Sequence, residues 1–152
     1  MDPFACAAGT AQFQPVIDAD FDALADLRSL AMRPSLERLG RYDPERSRQR
    51  LRASFVAART RWICLDGVRV GFYVLTDEDG ALRLNHLYLH PDAQGKGLGR
   101  AVVDMAIAQA RETGQVLRVT ALRDSESNAF YVRCGFVRTG EEPWDIHYEY
   151  RR

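Results

Sequence analysis

The segment Leu87-Tyr88-Leu89-His90-Pro91-Asp92-Ala93-Gln94-Gly95-Lys96-Gly97-Leu98-Gly99-Arg100 holds the clearest chemistry in the sequence. A β-rich run passes through a glycine-rich turn into a stretch of helical period. Glycines let the backbone fold so that successive N–H groups converge on one point. A helix start adds amides without intrahelical partners and the positive end of the macrodipole. Gln94 to Arg100 therefore reads as a pyrophosphate seat, or as a strand-to-helix turn that holds no ligand. Two other phosphate loops are excluded. The Walker pattern needs Lys-Ser/Thr after its last glycine, and Gly99 is followed by Arg100-Ala101. The dinucleotide pattern G-x-G-x-x-G, begun at Gly95, fails because position 100 is Arg.

Around this turn lie a few groups able to move protons. The run before Leu87 carries Arg83, Asn85 and His86 but no carboxylate. His86 titrates near neutral pH and is the first candidate for a general base, while Asn85 can order a water. Glu141, Glu142 and Asp145 offer carboxylates near the end of the chain. His90 and His147 show no ligand spacing, and Cys6, Cys64 and Cys134 form no C-x-x-C. No metal site and no disulfide framework is expected.

The elements that must position these groups follow from pattern. Gln12 to Ile17 reads as a strand, with Asp20 as N-cap of a helix from Phe21 that ends or kinks at Pro34. Pro44 to Ala58 is a second helix, rich in arginine on one side. Trp62–Leu65 and Val68–Leu75 are strands joined by Asp66-Gly67, a pair suited to a type I′ hairpin turn. After the turn 77–80, Ala81–Leu89 is a third strand, and its apolar alternation changes phase between Leu84 and Leu87 as a bulge would cause. Leu98 to Thr113 is a long helix stopped by Gly114, with Val102, Met105, Ala106 and Gln109 on one face and Val103, Ile107 and Ala110 adjoining. Val116–Ala121, a helix over Glu126–Cys134, Phe136–Thr139 and Asp145–Tyr150 complete the chain. The fold class is α/β (α+β), with residues 1–12 a loose leader and 13–152 a single domain.

Among 152 residues, Lys plus Arg is 21 and Asp plus Glu is 21, so the formal charge is zero. That balance speaks against a nucleic-acid binder. The N-terminus has no secretory pattern, and no apolar run approaches the roughly 20 residues of a membrane span. A reducing cytoplasm is the expected compartment.

The spacing Gln94-x-x-Gly97-x-Gly99 resembles the Q/R-x-x-G-x-G/A signature of the GNAT acetyltransferase superfamily. The segment Asn128-Ala129-Phe130-Tyr131-Val132-Arg133-Cys134-Gly135-Phe136 resembles its second signature, and one helix and one strand separate the two, as in the family. The chain departs by having Asp124 and Ser127 where Asn and Ala are frequent. The resemblance implies a mixed central sheet of about six to seven strands flanked by about four helices. It implies acetyl-CoA as cosubstrate and no metal. Gly95, Lys96, Gly97, Leu98, Gly99 and Arg100 would hold the pyrophosphate, headed by Gln94. Leu87, Tyr88 and Leu89 would pair with the pantetheine arm, with Asn128 and Tyr131 as further contacts. The amide of Leu87 or Tyr88 would stabilise the oxyanion, and Tyr131 would protonate the thiolate. The acceptor would be a small-molecule or peptide amine. Homodimers are frequent in the family, and Tyr148 and Tyr150 would suit an edge-to-edge contact. The rival reading is a non-catalytic acyl-CoA-binding sensor or regulatory module.

Overall fold

A computed structural model describes residues 5–6 and 9–151. The strands are β1 (Ala5–Cys6), β2 (Gly9–Pro15), β3 (Thr60–Leu65), β4 (Val68–Glu78), β5 (Ala81–Leu89), β6 (Leu117–Leu122), β7 (Val137–Glu141) and β8 (Asp145–Tyr150). Four α-helices join them among the described residues: α1 (Phe21–Arg38), α2 (Pro44–Ser54), α3 (Leu98–Thr113) and α4 (Ser127–Arg133). This is the mixed sheet with four helices that the sequence implies, with the two-residue β1 in addition. No helix among the described residues is long and apolar enough to cross a membrane.

The chain divides into two compact units. The first runs to Val74 and resumes over His86–Ala101. Its strand order is β1-β2-β3-β4-β5. Its core gathers Phe21, Leu24, Leu51, Trp62 and Phe72, with Tyr88 packed against them. Of the leader expected over 1–12, residues 1–4 and 7–8 lie outside the described residues, while Ala11 and Gln12 pair with Leu65 and Cys64. The first strand therefore starts at Gly9 and stops before Val16.

Two other expectations in this unit are corrected. Pro34 lies inside α1, so of the two alternatives, an end or a kink, the end is removed. The helix closes instead at Gly40, where φ is +68° and Arg41 N donates to Leu36 O at 2.8 Å. Asp20 precedes α1 but makes no side-chain cap to it. Its carboxylate accepts from Ile17 N at 3.0 Å, Trp62 Nε1 at 3.1 Å and Arg69 Nη1 at 3.4 Å. The Ile17 amide first, then Trp62 and Arg69, hold its pKa below the usual carboxylate range against a burial effect in the other direction. The cap of α2 is conventional: Asp43 Oδ1 accepts from Arg46 N at 3.1 Å, with Pro44 in the first turn. That helix stops at Ser54, short of Ala58.

The second unit comprises Leu75–Asn85 and the residues from Val102 onward. Its strand order is β4-β5-β6-β8-β7. β5 and β6 pair in parallel over Leu82–Leu84 only, while β8 pairs antiparallel with both β6 and β7. Tyr148 is buried, and a strand paired on both sides has no free edge, so the dimer contact expected of Tyr148 and Tyr150 is not available there. α3 buries Val102, Val103, Ala106, Ile107 and Ala110, leaving Gln109 exposed and Met105 at the margin. The buried stripe thus takes in the adjoining Val103, Ile107 and Ala110 and leaves out Met105 and Gln109.

The hairpin between β4 and β5 is tighter than the sequence suggested. Only Asp79 (φ +54°) and Gly80 (φ +76°) form its turn, so Asp77 and Glu78 belong to the strand. The Asp66-Gly67 turn has the expected positive φ angles, +53° and +81°. β5 runs unbroken from Ala81 to Leu89. Its inside-outside alternation holds to Asn85 and then gives way to half-buried residues from His86 to Leu89. Register shifts are seen in the β3–β4 pairing at Ile63/Cys64 and in the β7–β8 pairing at Arg138/Gly140.

Candidate active site

In the first unit the glycine turn is staked at both ends. Ala93 (3% exposed) and Leu98 (1% exposed) are sunk into the protein, and Gln94–Gly97 between them are exposed. Pro91–Ala93 form a 3-10 turn whose preceding His90 accepts at Nδ1 from Asp92 N at 3.1 Å. Gln94 Nε2 donates to Leu89 O at 3.2 Å, so the head of the glycine motif clamps the turn onto the end of β5. Gly95 and Gly97 have φ of +76° and +81°, and a Cβ at either would meet nothing within 4 Å. They are glycines because of backbone conformation, and the space beside them is open. α3 begins with Ala101 N donating to Gly97 O at 3.0 Å, so the amides of Leu98, Gly99 and Arg100 precede the first helical donor and have no acceptor within the helix. An anion of the size of pyrophosphate fits such an open, amide-rich turn.

The last residues of β5 sit against a close backbone approach. At Gly71 in β4, a Cβ would stand 2.4 Å from Tyr88 O and 2.8 Å from Leu89 Cδ2. Only glycine lets the two strands meet this closely. The Tyr88 ring packs on Phe72 with centroids 5.4 Å apart, and its hydroxyl lies 3.1 Å from His86 Nδ1. The Arg28 guanidinium stands over the same ring, 5.5 Å from its centroid. Burial, then the charge of Arg28, lower the His86 pKa to about 4. His86 is therefore neutral at pH 7 and a weak proton acceptor.

Asn85 belongs to the second unit. Its Nδ2 donates to Thr76 Oγ1 at 2.7 Å and Glu78 Oε2 at 3.3 Å, while Thr76 Oγ1 donates to Glu78 Oε2 at 2.6 Å. Glu78 is the carboxylate missing from the run before Leu87. The neighbouring strand supplies it once β4 is seen to reach Glu78. A period-2 extension of Val68–Leu75 through Thr76 and Glu78 was the available signal.

Tyr131 is 6% exposed on α4, with Phe136 and Tyr148 rings at 5.5 and 6.2 Å. Asn128 is committed within its own unit. Nδ2 donates to Leu122 O at 2.9 Å and Ser125 O at 3.0 Å, and Oδ1 accepts from Tyr148 Oη at 2.8 Å. It fixes α4 to β6 and β8 and has little capacity left for the pantetheine contact expected of it. Trp62 and Tyr73 are core residues at 3% and 6% exposure. No group of three or more potential metal ligands occurs among the described residues.

A strand, a clamped glycine turn and a helix start in this order can be compared with known proteins. The family described as "Acetyltransferase (GNAT) domain" matches residues 53–138, more than half of the chain. This chain belongs to the GNAT acetyltransferase family. The matched span covers β3 to the start of β7, and so contains the glycine turn, β5, Glu78 and Tyr131. The L-amino acid N-acyltransferase MnaT of Escherichia coli is 36% identical over 59 residues, 38% of this chain and 34% of that protein. The alignment thus spans about a third of that relative's length. The fold is matched by the PaiA N-acetyltransferase of Thermoplasma acidophilum in complex with coenzyme A. Its TM-score is 0.76 at 17% identity, over 94% of this chain and 99% of that one. An acetyltransferase of Thermus thermophilus gives a TM-score of 0.72 at 23% identity, over 94% and 97%.

Proposed function

We propose that this GNAT protein transfers an acetyl group from acetyl-CoA to a primary amine, by direct attack within a ternary complex. The observation that carries the reading is the open turn Gln94–Gly99 between β5 and α3. Amides from Gly95 to Arg100 receive the pyrophosphate. The arm of the cosubstrate lies along Leu87–Leu89, adding to the strand by backbone pairing. The amide of Leu87 or Tyr88 faces the thioester oxygen and stabilises the negative charge that develops as the amine attacks. The carbonyl carbon gains a C–N bond, the C–S bond breaks, and the thiolate takes a proton from Tyr131. The amine must shed a proton of its own. His86, with a pKa of about 4, is a poor acceptor for it. Asn85 and the Glu78 carboxylate it bonds are the better route, with water as the carrier.

The membership, the open turn and the MnaT likeness support this reading. Calorimetric titration with acetyl-CoA, with CoA and ATP as controls, tests it, followed by thiol release with a panel of amines. Selective acetyl-CoA binding with turnover is expected. Binding without turnover on any amine would leave an acyl-CoA sensor, and no binding would remove the assignment.

A further inference from the structure

Arg28 on α1 is 7% exposed, and no carboxylate among the described residues lies within ion-pair distance of it. One edge of its guanidinium is used: Nη1 donates to Ser47 O at 3.2 Å and to Ser47 Oγ. The other edge is not. Nε is buried without any hydrogen-bond partner, and no acceptor for Nη2 occurs among the described residues. Nε–H and the neighbouring Nη2–H point the same way and form the fork that grips two oxygens of one planar anion. A buried donor left unmatched is costly, and an arginine serving only to join α1 to α2 would gain by turning that fork to a protein oxygen. Beside the fork is the Tyr88 ring, on the strand proposed to line the reacting thioester.

We infer that the free edge of Arg28 is the receptor for a carboxylate carried by the acceptor, which makes the acceptor an amino acid or a similar amino-carboxylate. The inference rests on the acyl-transfer reading for the identity of the bound molecule as a substrate. The receptor itself stands on the geometry of Arg28. A carboxylate supplies two acceptors in one plane, matches Nε and Nη2 together, and neutralises a charge that no carboxylate among the described residues pairs with. The amine of the same molecule is then held at a fixed distance from β5.

The test labels the intact chain with 15N-arginine and follows the Arg28 Nε–H resonance, assigned by its absence in Arg28→Lys. The probes are the proteinogenic L-amino acids, their amides, and inorganic phosphate. At least one amino acid is expected to shift the resonance saturably, its amide about tenfold more weakly, and phosphate not at all. In turnover, that acid should exceed its amide about tenfold or more in kcat/KM. The preference should collapse towards unity in Arg28→Lys, which keeps the charge but loses the fork, with acetyl-CoA affinity unchanged. Acid and amide behaving alike in the wild type would overturn the inference, as would phosphate acting in place of the acids or the preference surviving in Arg28→Lys. Should Arg28→Lys not fold, the wild-type pairs of acid and amide still decide, with the resonance assigned through a neighbouring variant. An acid-selective shift in a protein that acetylates no amine would uphold the receptor and remove the acyl-transfer reading instead.

Discussion

Arg28 and Arg118 handle the same charge in opposite ways. In the second unit, Arg118 Nε donates to Glu149 Oε2 at 2.8 Å, and Arg151 Nε reaches Glu149 Oε1 at 2.7 Å. The chain there is its own counter-ion. Thr120, His147 and Glu142 continue the pattern, with contacts of 3.0 and 2.8 Å at the two imidazole nitrogens. In the first unit, Arg28 keeps an empty fork and the glycine turn keeps amides without helical acceptors. Matched polar groups add to stability, and unmatched ones are held ready for something from outside. Substitutions in the two units should therefore have separable effects.

The largest effect expected is at the turn. Gly97→Glu puts a carboxylate and a side chain where φ is +81° and the amides converge, and should weaken acetyl-CoA binding by about a thousandfold. Calorimetry at matched folding, checked by circular dichroism, reads it, and unchanged affinity would break the contrast. Tyr131→Phe probes the exception, a residue of the second unit with a proposed chemical role. It should lower kcat by about a hundredfold while acetyl-CoA affinity stays the same. Equal turnover would return Tyr131 to packing against Phe136 and Tyr148.

Next is Glu149→Gln, which leaves Arg118 with a weaker acceptor and should cost about 2 kcal/mol of stability in urea unfolding, with acetyl-CoA affinity untouched. The pH dependence has a definite sign. Arg118 first, then Arg151, hold the Glu149 pKa below its usual value, against its own burial. Its contribution is therefore present above the unfolded pKa and is lost as pH falls through the folded one. The difference in stability between wild type and Glu149→Gln should shrink as pH falls through the acidic range. A constant difference would show that the pair is not what stabilises this sheet. Smallest is Tyr148→Phe, which removes the bond to Asn128 Oδ1 and should cost about 1 kcal/mol, read as a lowered Tm.

What the sequence made legible was local. The Gln94–Gly99 turn, the Asp66-Gly67 hairpin and the helix stop at Gly114 each depend on positive φ or on a helix start, and both leave marks on adjacent residues. Arg28 left no such mark. Nothing in the periodicity of α1 distinguishes a buried arginine with a spare fork from one lying on the solvated face. The burial, the Ser47 contact and the missing carboxylate come from residues far along the chain. Glu78 was hidden for a different reason: the acidic run Asp77-Glu78-Asp79 reads as a loop until pairing extends β4 through it. His86 kept its expected place on β5 but is a weaker proton acceptor than its sequence suggests, because desolvation and the charge of Arg28 are tertiary effects.

The bare hydrogen at Gly71 has a wider implication. No ligand group need ever touch that position, yet one added carbon would push on the carbonyl of Tyr88 and tilt the very strand on which acyl transfer is proposed to occur. A screen for impaired variants would then score Gly71 beside Tyr131, the proposed acid, and its severity would measure how rigidly a reaction coordinate is tied to a wall of main chain on the far side of it.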